Sequence, residues 1–197
     1  MTLRRWHRLL GLVLFFPFVA WAASGLVFFF KPGYTAAYAP LGVRALGQAQ
    51  PMILEPHDEW LEVRALRTVL GEHLLVRTAE GWRHLRAGNL APWPRPHGET
   101  LRPLIADAIA ADPERYGRVE RIDGDSFVTS TGARVSLDWD TLTLTQRGRD
   151  TDRIDAIYRV HYLQWTGVKV LDRVLGVAGI AGIFVLAGLG LILAIRG

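Results

Sequence analysis

The sequence predicts an α+β membrane protein, with two transmembrane helices flanking a small α+β extramembrane domain. Three observations predict it. Hydrophobic residues make up 50% of the 197-residue chain, and they are densest in two uncharged blocks, Leu9 to Phe30 and Val174 to Ile195. Each block makes a helix of about 33 Å at 1.5 Å per residue, enough for a hydrocarbon core of about 30 Å. The stretch between them mixes helical and strand patterns punctuated by Gly and Pro. The apolar content excludes a disordered chain, and its clustering excludes a plain soluble globule.

The first span carries Pro17, tolerable where neighbouring groups satisfy the freed carbonyl or the helix kinks. Its rival is a secretory signal, since Arg4-Arg5 precedes an apolar run and Ala20-Trp21-Ala22 resembles a cleavage site. The run continues through Leu26 to Phe30, past a signal core of about 7–15 residues, so it reads as an uncleaved anchor. Arg4, Arg5 and Arg8 favour a cytoplasmic N-terminus. Arg159, Lys169 and Arg173 before the second span nearly balance them, with only Arg196 after it. The first helix usually dominates and long loops translocate regardless of charge, so both termini are placed inside and residues 31–173 mostly outside. The divisions are 1–31 (first transmembrane helix), 32–150 (α+β domain), 151–173 (interfacial helix) and 174–197 (second transmembrane helix).

Within the middle region, Lys31 to Gln50 reads as an extended stalk. Asp58 to Leu70 has Leu61, Leu66, Val69 and Leu70 at near-helical spacing. His73 to Thr78 and Gly81 to Arg86 form a hairpin around Ala79-Glu80-Gly81. Pro92, Pro94 and Pro96 break regular structure. A helix from Thr100 to Ala111 follows, then strands near Val119–Ile122, Ser126–Ser130, Arg134–Leu137 and Thr141–Gln146. Helix then hairpin strands, twice, suggests two related halves. Ile154 to Lys169 mixes aromatic and charged residues and suits a helix at the interface.

The chemistry offered is narrow. With no cysteine there is no disulfide, thiolate metal site or covalent haem attachment. No Walker loop, G-x-S-x-G elbow, H-E-x-x-H or G-x-G-x-x-G after a strand is present. The net charge of +4 comes almost wholly from arginine, Lys31 and Lys169 being the only lysines. It points to anionic ligands or lipid headgroups, and no charge run is long enough for a nucleic-acid arm. Asp138 and Asp140 read as turn carboxylates, and His57, His73, His84 and His97 as ordinary surface or turn histidines.

His7 and His161 stand apart because each borders a span, where ionisable groups are costly and mark function by default. A neutral imidazole is a usual axial ligand for b-type haem. On a helix, Gly11 shares a face with His7 and leaves room for a flat macrocycle; Trp165, four residues beyond His161, is placed to stack on one. Arg5, Arg8 and Arg159 are candidates to pair with propionates. The competing reading is an aromatic and basic interfacial belt. With both termini inside, the two histidines lie roughly 30 Å apart along the membrane normal, so one monomer cannot offer both to one iron. A two-fold homodimer can, pairing either histidine with its mate. Ala178 with Gly182, Gly190 with Ala194, and Gly176, Gly179 and Gly182 at three-residue steps suit close helix packing.

Arg5-Trp-His-Arg-Leu-Leu-Gly11, Gly132-Ala-Arg-Val-Ser-Leu-Asp138 with Asp140-Thr141, and Val160-His-Tyr-Leu-Gln-Trp-Thr-Gly167 together resemble the PepSY-associated transmembrane family. The likeness covers both ends and the second half of the middle domain, and two spans stand where larger members have four or more. The resemblance implies a PepSY-like periplasmic domain and an inner-membrane haem-b reductase of periplasmic ferric iron or ferric siderophores, with His7 and His161 as ligands. An electron would come from a cytoplasmic flavin reductase or the quinol pool. The alternative it implies is a non-enzymatic anchored PepSY module that binds a peptidase or another envelope protein.

Overall fold

A computed structural model of the chain describes residues 2–47, 53–55 and 57–196. It divides into two compact units, Met1–Ala36 with Asp150–Gly197 and, separately, Ala37–Arg149.

The first unit is built on two long helices, α1 (Leu3–Phe30) and, at the far end of the chain, a helix spanning Lys169–Arg196. Large apolar side chains on both stand free of the protein: Phe16, Phe29 and Phe184 are each more than 70% exposed. Side chains of this kind need an apolar surround, and the helices have the length and composition to cross a bilayer. This is a membrane protein. The pair is antiparallel, for His7 meets Gly190, Gly11 meets Leu186 and Leu14 meets Gly182. Pro17 lies inside α1 without ending it.

The short α2 (Tyr34–Ala37) ends on Ala37, the first residue of the second unit, which is fully buried. Three antiparallel strands follow in order, β1 (Glu62–Thr68), β2 (Gly71–Thr78) and β3 (Gly81–Arg86). The period-two alternation of β2 places His73 and Leu75 on one face and Leu74 and Val76 on the other, and all four are buried. Leu75 joins the main core, while Leu74, Val76 and Leu85 form a second cluster. α3 (Gly98–Ile109) buries Leu101, Leu104, Ile105, Ala108 and Ile109, the i, i+3, i+4, i+7 stripe of an amphipathic helix. The short α4 (Pro113–Tyr116) is capped by Asp112, whose carboxylate accepts the Arg115 N–H. The meander β4 (Val119–Asp123), β5 (Ser126–Thr129), β6 (Arg134–Asp138) and β7 (Thr143–Arg147) completes the unit. Phe127, Val135, Leu137 and Leu144 from its strands pack in the main core with α3. Each such side chain contributes roughly 1.5–3 kcal/mol by burial. α5 (Arg149–His161) and α6 (Lys169–Arg196) return the chain to the first unit.

Four expectations change. Residues 58–70 hold strand β1 and no helix, because Glu62 to Thr68 pair residue by residue with β2, a non-local ladder that overrides the local spacing. The two halves are therefore not related as helix plus hairpin, since only the second carries the helix. The stalk is not free of the unit: Gly42 bridges to Thr143 and Leu46 to Arg67, and residues 48–50 lie outside the described residues. The interfacial helix begins earlier and stops at His161, where Leu163 takes a left-handed φ of 56° and the Gln164 N–H turns back to the Arg159 carbonyl.

Candidate functional site

In the membrane unit both singled-out histidines face a partner helix. His7 occupies the hollow left by Gly190, where a Cβ would fall 3.2 Å from His7 Cε1. Its Nδ1 is buried and has no hydrogen-bond partner among the described residues. His161 lies between aromatic rings of α1. Trp21 stacks on it nearly parallel, with ring centroids 5.6 Å apart and planes at 8°, and Phe28 meets it edge-on at 4.8 Å. Ser24 Oγ donates to the Trp21 carbonyl at 2.8 Å and lies 3.1 Å from His161 Nδ1. A hydroxyl has one proton, so His161 Nδ1–H is the donor of the second bond. That tautomer leaves Nε2 with its lone pair, as a metal-binding imidazole requires.

The other predicted residues divide. Gly11 does share a face with His7, but Leu186 fills the space beside it, 3.8 Å from where a Cβ would be. Trp165 is not on a helix with His161, since the helix has already ended; its Nε1–H donates to the Val160 carbonyl at 3.0 Å. The ring stacked on His161 is Trp21, from the opposite end of the sequence. Arg5, Arg8 and Arg159 are exposed and have no carboxylate partner among the described residues. The expected glycine face of α6 is largely used within the chain, with Gly182 against Leu14, Gly190 against His7 and Gly176 against Leu163. Ser24, the sole hydroxyl of the first apolar block, was the signal for the His161 cage.

His7 and Ser24 are 17 residues apart on α1, about 26 Å at 1.5 Å per residue. The two imidazoles therefore lie at separate levels of the helix pair, as the spacing argument required.

The α+β unit contains a second pair of histidines, and here the surface reading fails. His73 is fully buried and His84 nearly so. The His84 Nδ1–H donates to the Trp139 carbonyl at 2.7 Å, so its Nε2 accepts from His73 Nδ1–H at 2.9 Å. His73 Nε2 then accepts the Thr68 hydroxyl at 2.7 Å, and Thr68 Oγ1 takes the Leu70 N–H at 3.1 Å. Every polar atom of the relay is satisfied with both rings neutral. Burial, with His84 adding to it, holds His73 down to about 4. Burial also lowers His84, partly offset by its bond to the Trp139 carbonyl and by Asp140. Trp93 stacks on His73 at 4.8 Å and 8°, and accepts Trp139 Nε1–H on its carbonyl at 2.7 Å. His57 and His97 are exposed, as expected, and Asp138 accepts the Asp140 N–H as a turn carboxylate. Among the described residues no three His, Cys, Asp or Glu side chains gather as a metal site.

Against known proteins, the sequence profile of one family, described as the PepSY-associated TM region, matches residues 4–197. No curated protein and no solved structure matches.

Proposed function

The chain belongs to the PepSY-associated TM family, and from that premise we propose that it is an inner-membrane haem-b protein passing electrons to periplasmic ferric iron or a ferric siderophore. The single observation that carries this reading is the His161 cage: an imidazole turned by Ser24 so that Nε2 keeps its lone pair, held between Trp21 and Phe28. The buried, unpartnered Nδ1 of His7 fits the same group at the other level. When bound, b-type haem supplies a one-electron iron couple whose potential depends on ligation and burial.

The residues of this chain do the rest. Ser24 fixes the ring orientation and tautomer of His161. Gly190 allows His7 to lie against α6. Arg5, Arg8 and Arg159, exposed near the helix ends, are free to pair with propionates. The distance between His7 and His161 means that one chain supplies one imidazole at each level, so bis-histidine ligation needs a second copy in a homodimer. Electron donors of the flavin-reductase or quinol class fit a cytoplasmic side at the termini.

The test is the visible spectrum of the detergent-purified protein before and after dithionite. A Soret band with sharpened α and β bands is expected, weakened in His161→Ala and His7→Ala. A colourless protein after expression with added haem precursor removes the reading and leaves the anchored PepSY module. Full haem retention in both variants refutes the ligands.

A further inference from the structure

A cleft of about 380 Å3 in the α+β unit is lined by Leu70, Arg86, Trp93, Pro94, Arg95, Pro96, His97 and Thr100. That volume lies within the range of small-ligand pockets. We propose that this cleft binds a small aryl carboxylate, its anionic head on Arg86 and its ring against the proline wall.

Three observations carry it. First, the Arg86 guanidinium lies 4.9 Å from the centroid of the Trp93 ring, and no carboxylate pairs with it among the described residues. A guanidinium stacked on an aromatic face keeps its N–H edge free for a planar oxyanion. Second, the net charge suits a monoanion. Arg95 already shares its fork with Asp125, bonding the carboxylate at 3.1 Å and the Asp125 carbonyl at 3.3 Å. Glu99, at the start of α3, is engaged by Arg102. One uncompensated cation remains, and the Asp125 carboxylate opposes a dianion such as phosphate. Third, the wall is pre-formed. Pro92, Pro94 and Pro96 fix φ at alternate positions, the Trp93 N–H is tied to the His84 carbonyl at 2.8 Å, and the Arg86 N–H to the Ala91 carbonyl at 2.8 Å. Leu70 and two of those prolines give apolar surface beside the charge, which an aromatic acid covers and an inorganic anion does not. A rigid site loses little ordering entropy on binding.

The assignment does not rest on the haem reading, and a colourless preparation serves equally well. Calorimetric titration of the full chain in detergent with 4-hydroxybenzoate is expected to show saturable binding. Its neutral isostere 4-hydroxybenzamide and the Arg86→Gln variant are each expected to bind at least about tenfold more weakly, the loss of one charge-assisted contact. Arg86→Lys, which keeps the charge without the fork, is expected to fall between. Arg86 is exposed, so an unchanged melting temperature for both variants shows that the fold is intact. Equal binding of acid and amide, unaltered affinity in Arg86→Gln, or no saturable heat up to about 10 mM ligand overturns the proposal.

Discussion

Ser24 Oγ gives its proton to the Trp21 carbonyl and accepts a second one from His161 Nδ1, 3.1 Å away. Residues 137 positions apart are joined by a bond that selects one imidazole tautomer. Nitrogen NMR of ring-labelled protein is expected to show the Nδ1–H form of His161, and Ser24→Ala a mixture of both forms. In haem-loaded protein the same variant is expected to retain cofactor about tenfold less well, the scale seen when an outer partner of a ligating histidine is lost. Unchanged ring shifts in Ser24→Ala would show that serine does not set the tautomer.

Gly190 and Gly179 sit on the same helix with opposite surroundings. A Cβ at Gly190 meets His7, whereas nothing lies within 4 Å of one at Gly179. Gly190→Val is expected to destabilise the helix pair by about 1–3 kcal/mol through overpacking, and Gly179→Val to leave it near neutral. Thermal unfolding in detergent distinguishes them, and equal effects would contradict the pairing.

The His73–His84 relay gives the α+β unit a pH dependence of definite sign. His73 titrates near 4 when folded and near 6.5 when unfolded, so the unfolded chain holds more protons between those values. Stability is complete above about pH 6.5 and declines as pH falls towards 4, by about 3 kcal/mol for His73 alone. His84, also lowered, adds in the same direction. Glu62 and Glu99 are held below their usual range by hydrogen bonds from Arg64 and Arg102, so their contribution fades at lower pH still. Amide exchange in β2 and β3 is expected to show reduced protection at pH 4.5 relative to 7.5, after correction for intrinsic rates. The double variant His73→Gln, His84→Gln is expected to lose that difference.

Gly117 joins α4 to β4 at φ 64° and ψ −118°, a conformation open to glycine and strained for other residues. A Cβ there would also collide with Ser130 Oγ, which accepts the Arg118 N–H at 3.2 Å. Gly117→Ala is expected to cost about 2 kcal/mol or more. Adding Ser130→Ala is expected to recover only the part due to the collision, read as a partial return of the denaturation midpoint.

Much of this architecture is legible in the amino-acid order because it depends on local rules. The spans follow from length and apolarity, the hairpin from Thr78-Ala79-Glu80-Gly81, and the second meander from its turn residues. Residues 58–70 misled because Leu66, Val69 and Leu70 mimic helical spacing, while the pairing of β1 with β2 is a non-local fact. Trp165 misled for a related reason: four residues make one helical turn only if the helix continues, and Leu163 ends it. The buried histidine pair was hidden because neither His73 nor His84 has a neighbour in sequence that explains it. Each faces inward by strand alternation, and their bond appears only once β2 and β3 are in register.

The antiparallel pairing of α1 with α6 uses Gly182 and Gly190, and Gly176 packs against Leu163, so all three are spent on contacts within one chain. A neighbour arriving through the lipid meets bulky groups such as Phe16, Phe29 and Phe184 instead. Over those groups, recognition between bilayer partners would turn on how large side chains mesh and how many acyl tails they displace, while Gly179 and Gly188, with nothing within 4 Å of a Cβ, keep room for a closer approach.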